Sequence, residues 1–392
     1  MEKSVIVSAA RTPVASFQGS LSPMKSTDIG GVAIREAIAR AGIEPAAIDE
    51  VIMGCVLPAG LGQAPARQAM LSAGVPKEVG ALTVNRVCSS GLVSVMLADR
   101  AIRAGDAKAV VAGGMESMTG APYLMPAARG GFRLGDGKVV DGMVFDGLWD
   151  IHTNQHMGNC AELCAAKYGF TRDMQDAFAE GSYRKALAAI ESGAFKEEIV
   201  TVGVPQRKGE PRPFDTDEEP GRVNFDKMRT LKPSFKKDGT ITAANASSIS
   251  DGAAATVVMS EAAAKAAGMK PLARIVSYAS YSHEPEWFTT APLGAVRRAL
   301  EAAKLKAGDI GLWEINEAFA PVTMAAIKEF GVDEKIVNVS GGAIAIGHPI
   351  GASGTRILVT LIYGMKRLGK KLGLATLCNG GGEATAMILE AC

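Results

Sequence analysis

Aromatic side chains are scarce in this sequence, 5% of residues against 47% hydrophobic overall, so its interior has to be filled by aliphatic and small groups. Charge of one sign is not in excess. The formal net charge is +1, which removes the electrostatic case for nucleic acid or an anionic membrane as a partner. No apolar run reaches the length of a membrane span. The first residues, Met1 to Val7, enter a strand pattern without a signal-peptide core or an Arg-rich transit stretch. Cysteine is sparse and shows neither zinc-finger spacing nor the density of a secreted scaffold, so reduced thiols are expected. Glycine, by contrast, is plentiful, with 45 among 392 residues. That balance suits an α/β protein of two or three domains.

One stretch organises the rest. An apolar strand, Leu82 to Val84, runs into Asn85-Arg86-Val87-Cys88-Ser89-Ser90-Gly91, and an almost wholly apolar helix leaves it. Cys88 therefore sits where a strand becomes a helix. Free N–H groups and the helix dipole favour negative charge at such a place and ease the ionisation of a thiol. Ser89, Ser90 and Gly91 leave room for a bulky reactant. Two readings fit the stretch by itself, a nucleophile or a buried structural cysteine.

The chain carries a hidden repeat. Val5 to Ala10 reads as a buried strand, and Asp28 to Ala41 as an amphipathic helix with Ile29, Ala33, Ile34, Ala37 and Ile38 on its apolar face. The turn and strand from Ile48 to Gly54 recur as Ile310 to Asn316. Val84-Asn85 matches Val337-Asn338, Val110 to Glu116 matches Leu377 to Glu383, and Ala253 to Ser260 matches Glu383 to Glu390. Each half thus holds about five strands interleaved with helices, an old duplication of one α/β unit. The first half is interrupted by about 117 to 241, an insertion that opens Gly- and Pro-rich, turns helical after Thr171, and ends polar. Long insertions on α/β cores usually carry binding function.

Three more stretches carry reactive residues. Cys378-Asn379-Gly380-Gly381-Gly382-Glu383 places a second thiol at a strand end before three glycines, which let a substrate approach the backbone and its N–H groups. The alternative is a tight turn with an incidental cysteine. The loop Gly347-His348-Pro349-Ile350-Gly351 holds one of only four histidines. Its glycines loosely resemble a phosphate loop, but the Lys-Ser/Thr pair is missing, which argues against nucleotide hydrolysis. An imidazole there suits a general base, or a satisfied core residue. Asn316, after the strand Leu312 to Ile315, can polarise a carbonyl oxygen or cap the following helix. The duplication puts all four groups at C-terminal strand ends, where α/β sheets form their sites. His152, His156, Cys160 and Cys164 share a helical spacing that suits zinc, but Gly158 and Asn159 break the helix and packing explains the cysteines, so no metal is expected.

On these motifs, in this order, the chain resembles the thiolase family over essentially its full length, and within it the short-chain biosynthetic acetoacetyl-CoA thiolases. Gln155-His156-Met157-Gly158 looks like that group's covering loop, and residues 119 to 145 like its tetramerisation loop. The implied fold is α/β, two duplicated five-stranded mixed-sheet halves in a layered αβαβα core with an inserted loop domain. Residues 1–116 and 242–268 would form the first half, 117–241 the coenzyme A-binding insertion and 269–392 the second half.

The resemblance implies an acyltransferase that condenses two acetyl-CoA reversibly to acetoacetyl-CoA and coenzyme A, with these thioesters as substrates and no cofactor. Cys88 would hold the acyl group, His348 and Cys378 would move protons, Asn316 would hold a water at the enolate oxygen, and the N–H groups of Cys88 and Gly380 would form a second oxyanion hole. Ser247, Leu148, His156, Met157, Phe235, Ala243, Ala318 and Phe319 would line the pantetheine channel, and Arg222 would meet the nucleotide. It further implies a cytoplasmic homotetramer in fatty-acid metabolism. The alternatives are a broader-chain 3-ketoacyl-CoA thiolase of β-oxidation, which needs a wider acyl pocket, and a non-catalytic acyl-CoA binder, which would be expected to lack a reactive residue. A carrier-protein ketosynthase leaves Cys378 without a role.

Overall fold

The computed structural model describes residues 3–392. Its first half runs β1 (Ser4–Arg11), α1 (Ser26–Ala41), β2 (Glu50–Gly54), α2 (Pro65–Ser72), β3 (Gly80–Val84), α3 (Ser90–Ala104) and β4 (Ala109–Ser117). The insertion carries α4 (Met157–Tyr168) and α5 (Arg172–Glu191), and β5 (Ser250–Ser260) completes the half. The second half runs β6 (Ala273–Ser282), α6 (Ala291–Ala303), β7 (Leu312–Ile315), α7 (Ala320–Phe330), α8 (Ser353–Leu368), β8 (Leu372–Asn379) and β9 (Glu383–Ala391). Among the described residues no helix is long and apolar enough to cross a membrane.

The strands of the first half lie in the order β3-β2-β4-β5-β1, and those of the second in the order β7-β8-β9-β6. A single parallel bridge from Val337 to Trp313 stands where β3 stands in the first half. The order is therefore the same in both halves, with the third strand of the second reduced to one residue. Even a bulge is shared: the register breaks between Ile6 and Ser8 in β1, and between Ile275 and Ser277 in β6. The two half-sheets join into one ten-stranded sheet, linked among the described residues only where Val5 and Ile6 pair with Arg274 and Ala273.

The ladders correct three of the sequence matches. Val51 pairs with Ala81 and its counterpart Trp313 with Val337, so Val337 corresponds to Ala81, three residues from the Val84 expected. Glu50 pairs with Val110, and its counterpart Leu312 pairs with Gly373. Val110 thus corresponds to Gly373, four residues from the Leu377 expected, and Cys378 corresponds to Met115. In the last strand Met259 pairs with Ala109 and Glu390 with Leu372, so Ala253 corresponds to Ala384 and the expected match to Glu383 is one residue out. Repeated glycines drew the alignment off. In a sheet even one residue of slip moves every side chain to the other face.

Alternation along the strands sorts the layers. Ile6, Ile52 and Val110 face inward with Leu312, Ala375 and Leu377 of the other sheet, and between them lie Leu92, Val95 and Met96 of α3 and Ile357, Leu358 and Leu361 of α8. Val5, Val51 and Val111 face outward onto Ile29, Ile34 and Met70 of α1 and α2. Trp313, Leu374 and Ile388 do the same onto Val296 and Leu300 of α6. Five layers result, with two helices buried at the centre. These two helices start almost in contact, for a Cβ added to Gly91 would stand 2.8 Å from the Thr355 backbone nitrogen. The Thr355 hydroxyl instead donates to the Gly91 carbonyl at 2.7 Å.

Arg11, at the end of β1, fastens the insertion to this core. It is fully buried, forks onto Asp217 at 2.8 and 2.9 Å, and donates from Nε to Glu198 at 2.6 Å. Arg11→Met should cost about 3–5 kcal/mol, because two buried carboxylates lose their counter-charge. Urea unfolding measures the loss, and limited proteolysis should cut the insertion before the core.

Candidate active site

The Cys88 turn is held from both sides. Asn85 Oδ1 accepts the Val87 N–H at 3.0 Å, and Ser90 Oγ accepts the Arg86 N–H at 2.8 Å. Val87 between them has a φ of +46°, a left-handed conformation that a β-branched residue adopts only under constraint, at about 1–3 kcal/mol. The turn presents Cys88 immediately ahead of α3. Its thiol is buried, and burial pushes its pKa up to about 12. Two backbone N–H groups, of Cys88 itself and of Gly380, pull the other way. They address the same sulfur from different halves of the chain.

His348 is buried and stays neutral, its pKa lowered to about 3 by burial and then by the Arg356 charge. Its tautomer follows from its neighbour. Ser353 Oγ spends its only proton on the Pro349 carbonyl at 2.9 Å, so at 2.6 Å from Nδ1 it can only accept. Nδ1 therefore carries the ring proton and Nε2 has the free lone pair. Asn316 Nδ2 lies 3.4 Å from that Nε2, and Asn316 Oδ1, also buried, has no protein partner. The capping alternative for Asn316 does not hold, since α7 starts at Ala320 with Phe319 at its N-cap.

Cys378 ends β8, fully buried, its pKa raised well above the usual thiol range by burial and then by the nearby Cys88. The glycines after it differ in purpose. A Cβ on Gly380 would meet only Val87 and Met157 at ordinary contact distance. Gly382, with a φ of +77° and the His283 carbonyl where a Cβ would go, admits no other residue.

Cys88, His348, Cys378 and Gly380 all line one cavity of about 470 Å³. Of the expected channel residues, Leu148, His156, Met157 and Phe235 line it from the insertion, and Ala243, Ser247, Ala318 and Phe319 from the core side. The His156 ring stacks on Phe235 at 4.6 Å, and Phe235 meets Phe319 edge-on at 6.0 Å. Ser247 is fixed by its N–H and hydroxyl, both donating to the Ala318 carbonyl at 3.0 Å. Arg222 is not brought into the cavity. Its guanidinium is largely exposed, 3.9 Å from Glu219, and it is Glu219 that lines the wall.

Met118, Phe288 and Ile350 also line the cavity and escaped the sequence reading, which singled out reactive residue types. Glu116 escaped it too. This buried carboxylate accepts the N–H groups of Val56, Leu57 and Gly351 at 3.0, 3.2 and 2.8 Å, tying the β2 turn to the His348 loop. Burial pushes its pKa up to about 7 against those donors. The His/Cys stripe is dispersed. His156 caps α4 by accepting the Gly158 N–H, and Cys164 packs against the Pro321 carbonyl. Among the described residues no group of three or more His, Cys, Asp or Glu gathers as metal ligands.

Comparison with known proteins adds to this geometry. The family models described as thiolase, N-terminal domain and thiolase, C-terminal domain match residues 4–262 and 269–391. An acetyl-CoA acetyltransferase of Cupriavidus necator is 55% identical over 387 residues, 98% of each chain. One of Escherichia coli is 54% identical over 392 residues, 100% of this chain and 99% of the relative. The crystal structure of the Acat5 thiolase from Ascaris suum in complex with coenzyme A matches with a TM-score of 0.95 at 45% identity, covering 100% of both chains.

The imidazole makes two checkable statements. Ser353→Ala should release the Nδ1–H tautomer, seen as a mixed ¹⁵N signature for His348 where the parent protein shows one form. The folded pKa of about 3 lies below the unfolded 6.5, so this group's contribution to stability is complete above pH 6.5 and is lost as pH falls towards 3. His348→Gln should remove one proton from the slope of stability against pH in that window, read by urea unfolding.

Proposed function

The chain belongs to the thiolase family and is an acyltransferase, and we propose that it works as an acetyl-CoA C-acetyltransferase, joining two acetyl-CoA reversibly into acetoacetyl-CoA and free coenzyme A. The observation that carries the reading is the meeting of two thiols and a neutral imidazole, contributed by both halves, around one cavity.

Each step uses a group already in place. His348 Nε2, unprotonated, takes the Cys88 proton as the sulfur attacks the carbonyl of the first acetyl-CoA. Negative charge collects on that oxygen and then on the departing coenzyme A sulfur, which takes the proton back. The Cys88 thioester remains. Once His348 is free again it takes the Cys378 proton, and Cys378, now a thiolate, removes a proton from C2 of the second acetyl-CoA. His348 and a water held by the unpartnered Oδ1 of Asn316 take up the enolate oxygen's charge. The enolate carbon attacks the Cys88 thioester, whose oxyanion points to the Cys88 and Gly380 N–H groups, and Cys88 leaves as its thiolate and takes the proton from His348, which restores the resting pair. Run backward, the same groups cleave acetoacetyl-CoA.

Substrate placement follows the cavity wall. Ser247, Leu148, His156, Phe235, Ala243, Ala318 and Phe319 receive the pantetheine arm, and Arg222, outside the wall beside Glu219, is left to meet the nucleotide end. Residues 117–241 act as the binding insertion between a first half of 1–116 with 242–268 and a second of 269–392. Met157, whose Cε comes within 3.8 Å of a Cβ position on Gly380, crowds the acyl end and supports a short-chain substrate. A homotetramer is supported by the apolar loop carrying Tyr123, Phe132 and Leu134, all exposed in the single chain. A place in the reducing cytoplasm, in fatty-acid metabolism, is supported by six unpaired cysteines and a coenzyme A thioester chemistry.

Cys88→Ala should abolish both acyl-enzyme formation and turnover. Cys378→Ala should still take up an acetyl group on Cys88, seen by mass, while thiolysis of acetoacetyl-CoA falls at least about a hundredfold. Near-normal turnover by Cys88→Ala would sink the assignment. Efficient thiolysis of long 3-ketoacyl-CoAs would move it to a broader thiolase.

A further inference from the structure

The Cys88 turn and the Gly380 turn leave opposite halves of the ten-stranded sheet, and among the described residues no backbone–backbone hydrogen bond joins them. Among the described residues the two half-sheets pair only through Val5 and Ile6, at the other end of β1 from the site. Yet the N–H groups of Cys88 and Gly380 must converge on one atom, and such donors work only when fixed to within a fraction of an ångström. Something other than the sheets has to set their separation.

Side chains supply it. Arg86 forks onto Glu383, Nε to Oε2 at 2.9 Å and Nη2 to Oε1 at 3.0 Å, while its Nη1 donates to Ser280 Oγ at 3.1 Å. Ser282 Oγ also donates to Glu383, at 2.9 Å. Beneath this pair, fully buried, Ser89 Oγ donates to Asn379 Oδ1 at 2.6 Å and accepts from Thr385 at 3.0 Å. Asn379 Nδ2 in turn donates to the Gly380 carbonyl at 3.0 Å. Arg86 and Ser89 flank Cys88, and Asn379 and Glu383 bracket the glycines.

We propose that Arg86–Glu383 and Ser89–Asn379 form a two-point clamp that holds the Gly380 N–H on the Cys88 sulfur, making Arg86, Ser89, Asn379 and Glu383 positioning residues for the thioester oxyanion hole. None of the four lines the cavity, so they act through the two turns. A bidentate pair is what such a part requires, since a fork fixes orientation as well as distance.

The readout is the reactivity of Cys88 itself, measured as iodoacetamide alkylation at a fixed pH with the modified peptide quantified by mass. This inference rests on the acyl-enzyme reading for its purpose, but the alkylation assay needs no turnover and judges the clamp separately. Loss of one N–H donor lowers the thiolate fraction, so Arg86→Gln, Glu383→Gln and Ser89→Ala should each slow alkylation about tenfold. The Arg86→Gln/Glu383→Gln double variant should be no slower than either single. With acetoacetyl-CoA, kcat should fall while KM stays within about twofold. Alkylation at the parent rate in variants that melt normally, or a double variant slowed by the product of the singles, overturns the clamp. If the variants behave as expected while Cys88→Ala retains turnover, the clamp stands and the reading of Cys88 as acyl carrier falls.

Discussion

The site depends on two helix starts coming closer than side chains ordinarily permit. At Gly91 of α3 the missing Cβ lets the opening turn of α8 lie against it, bonded through Thr355. Because α3 follows Cys88 directly and α8 follows the His348 loop directly, that approach is what gathers thiol and imidazole at one place. The rest of the core serves this contact. Two sheets enclose the helix pair, and the outer helices cover the sheets.

Burial then sets the resting state. It disfavours charge, so thiol pKa values rise and the imidazole pKa falls. Cys88 and His348 therefore wait as a neutral pair. Ionisation becomes favourable as a reacting oxygen or sulfur takes up charge beside donors aimed in advance, which concentrates stabilisation on the transition state. The Nδ1–Ser353–Pro349 chain keeps the lone pair of the ring on the reactive side. Cys55, Cys160 and Cys164 are raised by burial too and have no comparable opening, which separates packing thiols from working ones.

What is encoded locally is legible in the amino-acid sequence. The motifs around Cys88, Asn316, His348 and Cys378 announce themselves because reactive types sit among glycines at strand ends. The doubled architecture was visible in the Ile48–Gly54 and Ile310–Asn316 pair, where apolar spacing leaves no freedom of register. It blurred at Val110–Glu116, where glycine repeats attract a false match and only the ladder decides. Glu116 and Ser353 were not legible. A carboxylate holding three backbone N–H groups, or a hydroxyl fixing a tautomer, acts through contacts between distant segments, and nothing in the neighbouring residues marks it. Arg222, singled out from a loose local match, stands outside the cavity wall, with its side chain turned to Glu219 and solvent.

The reduction of one strand to the Val337 bridge has a further meaning. Two identical copies packed together would offer each reacting group twice, related by a pseudo-dyad, and so could not tell nucleophile from base. Where that strand is a single residue, the chain from Asn338 to Ala352 makes a long connection with His348 in it, whereas the corresponding link in the other copy is the short turn holding Cys88. Likewise Gly54 is the counterpart of Asn316, and Met115 of Cys378. One chain carrying both copies can thus differ between them at each reacting position, and the broken symmetry is a division of labour.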